Sequence, residues 1–159
     1  MTADGEPDRE LLTELVLRTF RLNGLFLARA ETLAEPAGLT AAWWQVLGAV
    51  LRGPLTVAEV GRSMGLSRQA VQRVANVLVD RGLCEFRPNP AHARAKLLAP
   101  TDAGRASIGR LRDGTVAWAR EMEAELGADR IRQAVQLMDR LIEAMTQEPT
   151  GSGAPTGPR

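Results

Sequence analysis

The sequence is short of the residues that metal and redox chemistry use. Among its 159 residues are one cysteine, one histidine and no tyrosine. A four-ligand zinc site, a cysteine pair and a histidine-based triad within one chain therefore have too few residues to be built. No metal-ligating residues, no catalytic residues and no cofactor are expected, and the chain reads as a non-enzyme. Lysine is nearly absent as well, since of 20 basic residues only Lys96 is a lysine. With the high Ala, Arg, Gly and Pro content, that usage points to a GC-rich bacterial genome. Long hydrophobic runs are missing too. The most apolar window, residues 41–51, is interrupted by Gln45 and is too short to span a bilayer. Residues 1–10 alternate acidic and polar side chains without an apolar stretch, unlike a secretory signal. A cytoplasmic protein with no membrane partner is expected.

What is present is an ordinary globular balance, 45% hydrophobic and 25% charged, on a chain long enough to bury a core without disulfides. Apolar residues from Leu11 to Leu33 recur at spacings near three and four, which predicts a long amphipathic helix over 9–35. Thr40 caps a second helix running to about 52, stopped by Gly53-Pro54. Thr56-Val57-Ala58-Glu59 is a capping box that opens a short third helix, closed by Gly65. Ser67 caps a fourth helix to about Arg81, with Gly82 as its C-terminal stop. Two strands, 83–87 and 95–99, flank the turn-rich 88–94. Thr101 caps a fifth helix on which Gly104, Ile108, Leu111, Thr115, Trp118, Met122 and Leu126 form one seam. A sixth follows Gly127. The Gly-, Pro- and Ser-rich tail, 148–159, is expected to be disordered.

The fold class expected is mainly α with a small β hairpin (α+β). Its outer helices, 8–36 and 101–147, carry more apolar surface than the central block 38–100 can cover, which makes a homodimer the expected assembly.

Within the central block, residues 57–74 have the spacing of a helix-turn-helix. Gly61 is small where two helices cross, Gly65 makes the turn, and Val60, Met64, Leu66, Val71 and Val74 fill the space between. On the fourth helix Ala70, Val71, Val74, Val77 and Leu78 are expected inward, leaving Arg68, Gln69, Gln72, Arg73 and Asn76 to project together. Arginine pairs with guanine, and glutamine or asparagine with adenine, in the major groove. The overall charge of +1 hides a regional split. From residue 52 to 96 eight basic residues face three acidic ones, giving +5, while the flanks are acidic. Phosphates would find a local target.

Leu39-Thr40 with Trp44 and Val46-Leu47, residues 55–60, 66–71 and 78–83, Arg94-Ala95-Lys96, and 101–104 stand in an order that resembles a MarR-family transcriptional regulator. The resemblance covers roughly residues 10–147. It implies a winged helix-turn-helix over 38–100, with the recognition helix at 67–81 and the wing at 83–99, carried on a triangular homodimer. It further implies a pseudo-palindromic double-stranded DNA operator, repression, and release by a small-molecule effector. The DNA contacts are then Ser67, Arg68, Gln69, Gln72, Arg73 and Asn76 in the major groove, with Arg94 and Lys96 from the wing. The family wing usually reads Asp-x-Arg, whereas this chain has His92-Ala93-Arg94, and Asn89-Pro90 stands where Asp-Pro is common. Arg94 is kept without its usual acidic partner.

The family's effector pocket is lined by the helices that here carry Phe20, Phe26, Trp43, Trp44 and Trp118, five of the six aromatics. A small aromatic or apolar effector stacking there is one reading, and ordinary core and dimer packing is the other. Cys84, in a strand where an apolar residue is expected and without a second cysteine, reads as a structural thiol rather than a redox switch. His92 reads as a solvated loop side chain rather than a pH sensor. The alternative to a DNA-binding regulator is a winged-helix protein-interaction module that has no sequence-specific DNA binding.

Overall fold

The structure, a computed structural model, describes residues 9–147. Position 8 of the first expected segment and the expected disordered tail at 148–159 lie outside the described residues. The chain divides into two units, one ending at Thr115 and the other beginning at Val116.

In the first unit, α1 (Arg9–Ala34) is the expected long helix. A 3-10 turn (Glu35–Ala37) and left-handed Gly38, at φ 69°, end it. Helix α2 (Ala41–Ala49) starts with two caps. The Trp43 amide donates to Thr40 Oγ1 at 3.2 Å, and the Ala41 amide donates to Glu31 Oε2 of α1 at 2.7 Å. It stops at Ala49 rather than near 52, because Val50 to Gly53 form tight turns.

Strand β1 (Leu55–Thr56) leads into α3 (Val57–Met64) through the predicted capping box. The Glu59 amide donates to Thr56 Oγ1 at 3.2 Å, and the Thr56 amide donates to Glu59 Oε2 at 2.7 Å. Gly65, at φ 64°, turns the chain into α4 (Arg68–Asp80). Gly61 is needed here for a reason other than a helix crossing. A Cβ on it would lie 2.8 Å from the carbonyl oxygen of Leu66, in the turn itself.

Helix α4 ends in paired reverse bonds, Gly82 N–H to Val79 O at 2.9 Å and Leu83 N–H to Leu78 O at 2.8 Å, the pattern of a left-handed glycine stop. Strands β2 (Cys84–Arg87) and β3 (Leu97–Pro100) form the hairpin. The sheet order is β1-β3-β2, antiparallel throughout, with Leu55 opposite Leu98 and Arg87 opposite Leu97. β3 begins two residues later than expected, because the Ala95 amide donates to His92 O at 3.0 Å and extends the turn.

The helix expected to run unbroken from Thr101 is two helices, α5 (Asp102–Gly109) and α6 (Arg112–Leu126). Gly109 lowers the helix propensity at the junction. The break turns Leu111 inward, where it is 3% exposed among Ala34, Ala37 and Leu39. Arg110 fixes the junction by donating to Ser107 Oγ at 2.8 Å and to Ala37 O at 3.3 Å.

The main core joins Val46, Leu47 and Val50 of α2 to Val60 of α3, Val71, Ala75 and Leu78 of α4, and Cys84 and Leu98 of the sheet. Complete burial of each Leu or Val side chain stabilises the fold by about 1.5–3 kcal/mol. Trp43, Leu83 and Ile108 pack against this core and also against the smaller cluster around Leu111. Met64 and Val77, expected inside, are exposed. Met64 ends α3 just before the left-handed turn, so that Leu66 packs on the core instead. Val77 lies on the flank of the Val71, Ala75, Leu78 stripe.

The second unit holds the rest of α6, Gly127 at φ 84°, and α7 (Ala128–Thr146). None of the residues of these two helices is buried. No helix among the described residues is long and apolar enough to cross a membrane.

Candidate nucleic-acid interface

Helix α4 presents the expected polar face. Arg68, Gln69, Arg73 and Asn76 are exposed, whereas Gln72 is half-buried. Gln72 Nε2 donates to Asn76 Oδ1 at 2.9 Å, one turn along the helix. That bond orients the two amides relative to each other. Ser67 Oγ accepts the Ala70 amide at 3.1 Å and keeps its own proton available to an outside acceptor.

The α4 start, the α3 start and the hairpin enclose a cleft of about 430 Å³, lined by Thr56, Val57, Ala58, Arg68, Gln72, Phe86, Arg94, Ala95 and Lys96. The structure therefore brings Arg68, Arg94 and Lys96 to one place. None of the three is in an ion pair among the described residues. Arg87, by contrast, is paired with Glu85 at 2.6 Å and does not line the cleft. The sequence reading missed Thr56, Val57, Ala58 and Phe86 as neighbours of the cations. Thr56 signalled only a helix cap.

Glu59 is the acid of α3, and its carboxyl is held below the ordinary carboxylate range. The amide of Thr56 is the chief cause, followed by the Thr56 hydroxyl, with smaller contributions from the charges of Arg62 and His92. An acid already bonded to its own helix cap is a poor partner for the cleft cations. Cys84 is 2% exposed, and burial pushes its thiol up to about 11, which keeps the reactive thiolate scarce near neutrality.

The five aromatics read as an effector site are placed differently from one another. Phe20 and Phe26 are exposed on α1, at 70% and 46%. Trp43 and Trp44 are half-buried on α2 and pack on the Leu111 cluster. The Trp43 ring is covered on one face by the guanidinium of Arg81, 4.4 Å from the ring centroid. Trp118 lies in the second unit. Among the described residues no group of three or more His, Cys, Asp or Glu side chains is placed to hold a metal.

Comparison with known proteins places this geometry. Residues 37–95 match the model of the MarR family. The uncharacterized protein Rv2011c of Mycobacterium tuberculosis is 45% identical over 94 residues, covering 59% of this chain and 66% of that relative, just under two thirds of its length. The PcaV transcriptional regulator from Streptomyces coelicolor, solved with its natural ligand, is similar at 26% identity and a TM-score of 0.69, over 88% of this chain and 99% of that one. A mutant MarR from E. coli, solved with operator DNA, shares the fold at 21% identity and a TM-score of 0.71, over 86% and 99% of the two chains. The block around α3, α4 and the wing matches the MarR-family model over residues 37–95, and the frame has the winged-helix fold of solved MarR-family regulators, so the chain is similar to that family in sequence over this block and in fold.

Proposed function

We propose that the chain is a cytoplasmic transcriptional repressor that binds a pseudo-palindromic double-stranded DNA operator as a homodimer. The observation that carries this reading is the cleft where Arg68, Arg94 and Lys96 converge, unpaired among the described residues, beside the Gln72–Asn76 pair. Unpaired cations gain by replacing the counterions of a phosphate backbone. The oriented amides and Arg73 supply base-edge chemistry, so the contact set Ser67, Arg68, Gln69, Gln72, Arg73, Asn76, Arg94 and Lys96 divides into readers on α4 and holders at the cleft.

Residues 38–100 act as the winged head, and 8–36 with 101–147 as the dimerisation helices. Support for the second assignment is exposed apolar surface. Leu11, Leu12, Leu17, Phe20 and Leu25 stand out from α1, and Val135, Met138, Ile142 and Met145 from α7. Apolar surface of that extent marks an interface. Operator release by a small aromatic or apolar effector belongs to this reading, with Phe20, Phe26, Trp43, Trp44 and Trp118 as separate candidate contacts; what supports it is that PcaV, similar in fold and sequence, is a regulator solved with its natural ligand.

The test is footprinting on the DNA flanking the chain's own gene. Two symmetric protected patches about 34 Å apart are expected. Protection without two-fold symmetry counts against the dimer, and no protection at any salt returns the chain to a protein-interaction module.

A further inference from the structure

Arg81 is the odd cation of the reading head. Helix α4 has 13 residues and is about 20 Å long, so Arg81, its C-cap, stands at the far end from the cleft cations. It is exposed, yet its guanidinium lies 4.4 Å from the centroid of the Trp43 ring on α2. Its charge also stands at the negative end of the α4 dipole, which favours it there. Trp43 in turn sits at a fastened point. Its own amide bonds to Thr40 at 3.2 Å, and two residues earlier the Ala41 amide bonds to the Glu31 carboxylate of α1 at 2.7 Å. Its ring packs against both the main core and the cluster around Leu111.

We propose that Trp43 is a positioning residue for the recognition helix: its ring holds Arg81 and so fixes the C-terminal end of α4 against an α2 that Glu31 ties to α1. The inference rests on the DNA-reading role of α4. A helix whose Val71, Ala75 and Leu78 are buried in the main core and whose C-cap is held by this ring cannot pivot in the groove, and the Gln72–Asn76 pair keeps its angle to the base edges. The ring face that Arg81 covers is thereby assigned to the protein's own cation rather than to an effector.

The experiment uses the full chain and the duplex that the wild type selects from a random library. Dissociation constants are measured across a salt series for Trp43→Leu, Arg81→Ala and the double variant, with Trp43→Phe and Arg81→Lys as conservative partners. Each disruptive single change is expected to weaken binding by about three-fold, the size an exposed cation–π contact supports. The double variant should be no weaker than either single. Trp43→Phe and Arg81→Lys should bind within error of the wild type. The salt slope should be unchanged by Arg81→Ala, whereas removal of a phosphate ligand would lower it by about one.

Additive losses overturn the proposal, and so does a lowered slope for Arg81→Ala, which would make Arg81 a phosphate ligand. A merely structural role would lower the thermal midpoint and leave the dissociation constant of the folded chain unchanged, which also overturns it. If the wild type selects no duplex, the DNA reading fails and this inference falls with it. Selective wild-type binding with additive losses removes the inference alone.

Discussion

Gly104→Ala is the substitution whose cost the structure fixes most directly. A methyl group there would lie 2.1 Å from the Leu83 carbonyl oxygen, 3.1 Å from its carbon and 3.2 Å from Leu47 Cδ1. Carbon atoms in good contact stand about 3.5–4.0 Å from their neighbours, so a backbone carbonyl must retreat, which a side-chain rotation cannot supply. That carbonyl accepts the Thr101 amide at 3.1 Å, and the preceding one, of Gly82, accepts the Thr101 hydroxyl at 2.6 Å. Both bonds pin the end of α4 to the start of α5. Overpacking costs about 1–3 kcal/mol, and losing one of these bonds adds about 1 kcal/mol. Replacing a helical glycine returns at most about 1 kcal/mol. The expected net loss is about 2–3 kcal/mol.

Urea unfolding at one fixed protein concentration measures it, as a lower midpoint with an unchanged slope. Gly109→Ala is the control. No neighbouring atom lies within 4 Å of its added Cβ, and it should be neutral or gain up to about 1 kcal/mol. Equal midpoints for the two variants would refute the packing argument.

Two further outcomes follow from the titrating groups. The Glu59 carboxyl has its folded value lowered, first by the Thr56 amide. Its stabilisation is therefore full above the ordinary carboxylate value and lost as pH falls through the lower folded value. The stability gap between wild type and Glu59→Gln should thus be present at neutral pH and close on acidification, and a gap that does not change with pH would show that the charge has no part in the cap. For Cys84, the rise from 9.0 to about 11 implies roughly a hundred-fold less thiolate at neutral pH. Iodoacetamide should label the native chain at least that much more slowly than the urea-unfolded one; similar rates would show that the thiol is open to solvent.

The elements that were legible in the sequence are those whose causes are local. Thr40, Thr56, Ser67 and Thr101 each accept an amide three residues on, and such caps are written within four or five residues. The mainly α fold with a small β hairpin was readable for the same reason. What was hidden depends on partners distant in the chain. β1 has two residues and exists because Leu55 and Thr56 pair with Leu98 and Leu97. The break after Gly109 occurs because Leu111 is wanted in a core built by residues 34–39. On α4 the periodicity placed Val77 inside, yet it stays exposed on the flank of the buried stripe.

The same division holds at the candidate site. Arg68, Gln72, Arg94 and Lys96 were visible as residue types, but their convergence on Thr56–Ala58 comes from the sheet bringing the wing beside α3. Arg81 over Trp43 left no mark in any local pattern.

The central claim, that the cleft between α4 and the wing grips a nucleic-acid backbone, is tested most directly by the salt dependence of duplex binding. The comparison is between wild type and a variant with Arg68, Arg94 and Lys96 all changed to Ala. With three such cations per chain and two chains on one operator, the slope of log affinity against log salt should become shallower by up to about five, at roughly 0.9 for each phosphate that is no longer neutralised. Affinity at low salt should fall with it. A triple variant that keeps both the affinity and the slope of the wild type would contradict the account.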